Sequence, residues 1–104
     1  MYWRRGSVAR IRATEPLRQY IVRILWRTRE DPRVDLGASP RAGLMLLRAA
    51  KAYAMLRGRD HALPDDVQSL AETVLAHRLV LAPGASRSSS ADVVADAVAS
   101  VRAL

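Results

Sequence analysis

Apolar residues recur at three- and four-residue steps through most of this chain, and that rhythm predicts four helices. In the first, over residues 15–29, Leu17, Ile21, Ile24, Leu25 and Thr28 share one side with Tyr20 alongside. Arg18, Arg23, Arg27 and Arg29 fall mostly on the other. Thr14 supplies an N-cap, and Glu15 and Pro16 suit the first turn. Asp31-Pro32 ends the helix, because the residue before a proline avoids the α region.

Residues 32–38 read as a loop. The second helix spans residues 40–57 and is so rich in Ala and Leu that little of its circumference is polar. It is expected at the centre of the fold, covered on several sides. Arg57 suits its negative end, and Gly58 suits the left-handed stop just beyond. The third helix starts at Pro64 with Asp65 and Asp66 in its first turn, where the dipole favours acids. Its N-cap position is Leu63, which offers no side-chain acceptor, and the sequence shows no compensation. Val67, Leu70, Ala71, Val74 and Leu75 trace its apolar face, with Arg78 on or beside it. Leu79-Val80-Leu81 is too short an apolar run to assign to helix or strand.

Residues 83–90 carry Pro, Gly and four serines and read as a flexible loop. Ser90 is placed to cap a last helix over residues 91–102, striped by Val94, Ala97, Val98 and Val101. Every connection is short, so consecutive helices should pack as neighbours. The fold class is all-α: a four-helix bundle, with at most a short extended segment near residues 79–81.

Composition narrows the chemistry. The 104 residues suffice for one domain and fall short of a typical two-domain enzyme. With no Phe, two Trp and three Tyr, the core must be mostly Leu, Val, Ile, Ala and Met. The absence of cysteine removes disulfides and thiolate metal sites and fits a reducing compartment. No apolar run approaches the roughly 20 residues of a membrane span, and the basic N-terminus has no apolar stretch of a secretory signal. A cytoplasmic location is therefore expected.

The net charge of +7 is uneven. Arg4, Arg5, Arg10 and Arg12 lie in the first twelve residues, which contain no acid. Residues 1–13 are accordingly expected to be a basic arm, partly disordered or foreign to the domain, with the helical domain at residues 14–104. A basic arm and the arginines of the first helix also suit nonspecific contact with nucleic acid. Against that stands the second helix, too apolar for the polar reading face of a helix-turn-helix.

Neither a GxxxxGK[ST] phosphate loop nor a GxGxxG turn is present. His61 and His77 are isolated, with no second ligand at metal spacing, so no metal site is expected. Asp65 and Asp66 are adjacent on a helix and point apart, which argues against an acid–base pair. The serines have no His and Asp arrangement beside them. The most suggestive element is Leu36-Gly37-Ala38-Ser39-Pro40-Arg41-Ala42. Ser39 caps, Pro40 takes the first helical position, and Arg41 falls in the first turn beside free N–H groups and the positive end of the helix dipole. Such an end suits a phosphate. On these residues alone, a capped helix bearing a solvated arginine is the favoured reading. Arg78 also has two readings: a side chain snorkelling at a helix end, or a clamp or contact with another domain.

The order of several elements is more specific than any one of them. Tyr20-Ile21-Val22-x-x-Leu25-x-x-Thr28-Arg29 is followed by Leu36-Gly37-Ala38-Ser39-Pro40-Arg41 and an Ala/Leu-rich helix. Gly58-Arg59-Asp60, Pro64-Asp65-Asp66-Val67 and Val74-Leu75-x-His77-Arg78-Leu79 come next. Together they resemble the C-terminal lid domain of MoxR-family AAA+ ATPases, from about Val8 to the last helix. The departures are Leu63 in place of the usual Thr cap and a loop at residues 83–90 without the expected acids.

The resemblance implies a four-helix lid that meets ATP across from a larger α/β core. It implies that Arg41 is the sensor-2 arginine reaching the nucleotide phosphates, with Ser39 and Pro40 forming the helix start that presents it. ATP and Mg²⁺ would bind only with the core domain, whose phosphate loop and Mg²⁺-binding acid are not in this sequence. The chain alone is thus expected to bind no cofactor and catalyse nothing, while its parent is an ATPase. Implied partners are its own core, neighbouring subunits of a ring, and a von Willebrand A-domain protein, in a bacterial chaperone-like machine. A free-standing nucleic-acid-binding module is the alternative.

Overall fold

A computed structural model describes residues 10–83 and 89–102. The expectations for the N-terminal end and for the centre of the 83–90 loop fall on residues outside those described. The order is α1 (Glu15–Glu30), β1 (Val34–Leu36), α2 (Pro40–Leu56), α3 (Pro64–Leu75), a 3₁₀ turn (Ala76–Arg78), β2 (Val80–Leu81) and α4 (Ser90–Ser100). The all-α, four-helix expectation holds, with one small two-stranded sheet added.

Helix α1 starts as its sequence dictates: the Thr14 hydroxyl accepts from the Leu17 N–H at 3.3 Å. Leu17, Tyr20, Ile21, Ile24, Leu25 and Thr28 are buried. In α2 the buried positions are Ala42, Gly43, Leu46, Ala50 and Ala54, a narrow stripe at four-residue steps. Small residues on that stripe let α2 lie close to α1 and α3. The expectation that α2 is covered on several sides is corrected here: Leu44 and Leu56 are 49% and 65% exposed. Ala and Leu are strong helix formers even where nothing covers them, so composition overstated the burial. Past α2, Gly58 turns the chain at φ +77° as expected.

Three further corrections concern boundaries. Helix α3 ends at Leu75, so His77 and Arg78 sit in the 3₁₀ turn and are exposed. Helix α4 is capped by Ser89 and not Ser90: the Ser89 hydroxyl accepts from the Asp92 N–H at 3.0 Å, and the Asp92 carboxylate accepts from the Ser89 N–H at 3.1 Å. This reciprocal pair needs an acid three residues after the cap, which selects Ser89. The 32–38 loop contains strand β1, paired antiparallel with β2 through Val34↔Leu81 and Leu36↔Val80. A three-residue strand paired with one more than forty residues away has too little local pattern to show in sequence.

The packed unit also reaches into the region assigned to the arm. Ile11 is buried. The Arg12 N–H donates to the Asp60 carbonyl at 2.8 Å, and the Ala62 N–H donates to the Arg12 carbonyl at 2.9 Å. Arg33 ties two ends of the fold together. Its guanidinium donates to Asp31 at 3.0 and 2.7 Å and to Asp96 on α4 at 2.8 Å. Among the described residues, no helix is long and apolar enough to cross a membrane.

Candidate functional site

The start of α2 is held by the last turn of α1. Thr28 is fully buried, which its place on the apolar stripe foretold but its role did not. Its hydroxyl donates to the Leu25 carbonyl at 2.6 Å and accepts from the Ala38 N–H at 3.2 Å. Arg29 Nε donates to the Ala38 carbonyl at 3.3 Å. Both backbone groups of Ala38, the residue before the cap, are thereby fixed to α1. Gly37 makes the approach possible. A Cβ there would lie 2.5 Å from Arg29 Cγ and 2.7 Å from Arg29 Cα. Gly37→Ala must therefore push backbone from backbone, and a loss of about 2 kcal/mol is expected, within the usual cost of overpacking. A urea titration checks it; an unchanged midpoint would show that the loop yields freely.

Ser39 then caps α2, its hydroxyl accepting from the Ala42 N–H at 3.3 Å. The Gly43 N–H donates to the Ser39 carbonyl at 3.2 Å. Pro40 has no N–H. The open backbone donor of this first turn is thus the N–H of Arg41 itself. The Arg41 side chain is exposed, and none of the described residues hydrogen-bonds its guanidinium. Backbone donor, helix dipole and fork-shaped cation converge on one residue, a combination suited to a phosphate. Beside it, a groove of about 390 Å³ opens between α1 and α2, lined by Val22, Leu25, Trp26, Pro40, Leu44 and Leu47 among others. Its walls are mainly apolar, with Arg18 and Arg29 contributing the charge.

Comparison with known proteins decides the family. Residues 27–97 match the model of the AAA lid domain. The chain belongs to the AAA lid domain family.

Relatives of this lid share the type foreseen. The uncharacterised Bacillus subtilis protein YeaC is 47% identical over 76% of this chain and 25% of its own length. Chaperone MoxR1 of Mycobacterium tuberculosis is 41% identical, over 60% of this chain and 19% of its own. A solved structure from Cytophaga hutchinsonii, provisionally named an ATPase, superposes with a TM-score of 0.89 at 28% identity, over 96% of this chain and 34% of that one. The lid is of MoxR type, and it spans about a quarter of the first of these relatives.

Within the AAA lid, two other sequence elements meet. Arg59 of the Gly58-Arg59-Asp60 element donates to both carboxylate oxygens of Asp66, at 2.7 and 2.6 Å. Asp66 is 1% exposed, and it also accepts the Leu63 N–H at 2.7 Å. This is the compensation missing from the sequence reading: Leu63 cannot cap α3 with its side chain, but the third residue of the helix reaches back to satisfy the cap's own N–H. The signal was available, since an acid at that position forms one half of a capping box whatever occupies the cap.

The remaining candidates stay apart. Asp65 is exposed and Asp66 is buried, so the two do not share a site. His61 Nδ1 lies 2.9 Å from an Asp60 carboxylate oxygen, and His77 is exposed in the 3₁₀ turn. Among the described residues, no His, Asp and Glu cluster suits a metal. No described carboxylate pairs with Arg78, so the structure shows no intramolecular clamp there.

Proposed function

We propose that this lid closes over ATP held by a core domain elsewhere in its parent chain, with Arg41 contacting the phosphates. The supporting observation is the exposed Arg41, its own N–H open, on a helix start pinned through Ala38 to α1. The residues fit the nucleotide at both ends. A triphosphate needs cations and backbone donors, and a purine needs a flat apolar wall; the groove beginning at Pro40 supplies the second next to the first. The donors at this site are all positive or neutral, so Mg²⁺ belongs with acids of the core. The bound metal and phosphates would supply the phosphoryl-transfer chemistry, while this lid would orient the nucleotide and stabilise negative charge.

The same reading makes the lid a moving part. Helices α1 and α2, joined through a fixed loop, carry Arg41 as one body. A change at the phosphates would then shift the whole lid against a neighbouring subunit in a ring. We extend the chaperone name of its mycobacterial relative to the parent, and from the resemblance to MoxR-family ATPases alone we take a cytoplasmic location and a von Willebrand A-domain partner.

The first test is to read the source gene upstream of this segment, in frame. A phosphate loop and a Mg²⁺-binding acid within about 200 residues, a typical domain's length, are expected. A reading frame that opens at Met1 with no core before it would overturn the proposal.

A further inference from the structure

We infer that the surface around Trp26, where α1 meets the end of α4, docks an acidic polypeptide segment that carries an apolar side chain. It does not rest on the nucleotide reading: Trp26 also edges the groove named there, but Arg23, Arg27 and Arg102 do not line it. Trp26 is 55% exposed. Its spacing from Arg23 and Arg27 puts all three on neighbouring positions of α1, and they line one cleft together with Glu30, Val101 and Arg102. An indole left in water amid three arginines has the composition of a binding hot spot, in which Trp and Arg recur. Val101, buried at the base, continues the apolar surface.

Charge selects the partner. Three guanidinium groups and one carboxylate border the cleft, so it complements separate acidic side chains. A nucleic-acid strand fits less well. Its phosphates would run past Glu30, and the Trp26 ring already has the Arg29 guanidinium over it, 5.4 Å from the ring centre, which takes up stacking surface. A polypeptide segment can place an uncharged residue opposite Glu30 and needs only the uncovered part of the ring. It sets an apolar side chain against the open part of Trp26 and places carboxylates on Arg23, Arg27 and Arg102. The rigid helix supporting Trp26 keeps the ordering cost of such an interface low.

The test uses this chain and three labelled probes read by fluorescence anisotropy. One is a short glutamate peptide with leucines at helical spacing, the second has glutamine for each glutamate, and the third is oligothymidylate. The glutamate peptide should bind at least about tenfold more tightly than the glutamine one and weaken as salt is added. Trp26→Ala should weaken it about 30-fold, the size of a hot-spot loss, and Arg23→Glu with Arg27→Glu should abolish it. Arg41→Ala should leave it unchanged. Thermal melts establish that each variant is folded. Equal binding of the glutamine peptide, tighter binding of oligothymidylate, no effect of Trp26→Ala, or an equal loss in Arg41→Ala would each overturn the assignment.

Discussion

Asp66→Ala is expected to destabilise the domain by about 2–3 kcal/mol, below the 3–5 kcal/mol of a fully buried broken pair because Arg59 can partly reach water. The Asp66 carboxylate is 1% exposed, while its partner side chain is 26% exposed. Truncation removes three hydrogen bonds at once, two from Arg59 and one from the Leu63 N–H. It also deletes the cap of α3, which has no other side-chain acceptor at its start. Domains of this size hold on by about 5–15 kcal/mol, so the loss should lower Tm by roughly 10–20 °C. Calorimetry of the two proteins at neutral pH measures it. A drop of only a few degrees would show that the pair adds little beyond its own desolvation.

The same carboxylate gives the stability a pH dependence. Burial pushes the Asp66 carboxyl up, but the Arg59 hydrogen bonds, the Leu63 N–H and the Arg59 charge outweigh it, and the net direction is down. Asp31, bonded to Arg33, is lowered as well. An unfolded aspartate titrates near about 3.9. A folded value below that means the stabilisation is complete above the unfolded value and is lost as pH falls through the folded one. The native domain should therefore weaken as the pH drops below about 5, and Asp66→Asn should flatten that decline. An equally steep decline in Asp66→Asn would assign it to the other carboxylates.

What sequence conveyed and what it missed divide along physical lines. Caps and breakers act locally, so Thr14, Ser39, Pro40, Gly58 and Pro64 marked helix limits that the structure retains. The exception, Ser89 for Ser90, arose among adjacent serines that only the partner acid Asp92 tells apart. Periodicity likewise identified the core face of α1. Burial around α2 was misjudged because an Ala/Leu helix looks the same whether its far side is covered or open, and here Leu44 and Leu56 face solvent. Contacts between distant segments left no local trace: β1 with β2, and Arg12 with Asp60 and Ala62. At the candidate site, Arg41 and its cap were legible as a helix start. The parts that aim it were not, because Thr28 reads as one more half-apolar residue on a stripe and its bond to Ala38 spans a loop.

Arg41→Ala, made in the parent protein with its core domain present, should reduce kcat/KM for ATP about 100-fold, near the lower end of what removing one preorganised charge-stabilising donor costs. The size follows from geometry. The guanidinium has no described partner in the lid, so nothing internal competes for it, and the backbone beneath it is fixed by Thr28 and Arg29. The fixed helix start sets where the charge can reach, and the phosphates themselves would order the free guanidinium. A fall in kcat with KM little changed would mean that the contact strengthens as charge builds on the transferred phosphoryl group; a rise in KM alone would mean equal contact throughout. Arg41→Lys should recover only part of the activity, because a lysine keeps the charge and loses the two-pronged fork. Folding should be unaffected: the side chain is exposed, and surface changes away from caps and cores stay within about 0.5 kcal/mol. A stable Arg41→Ala protein with normal turnover would remove Arg41 from the nucleotide site and leave the start of α2 as a capped helix with a solvated arginine.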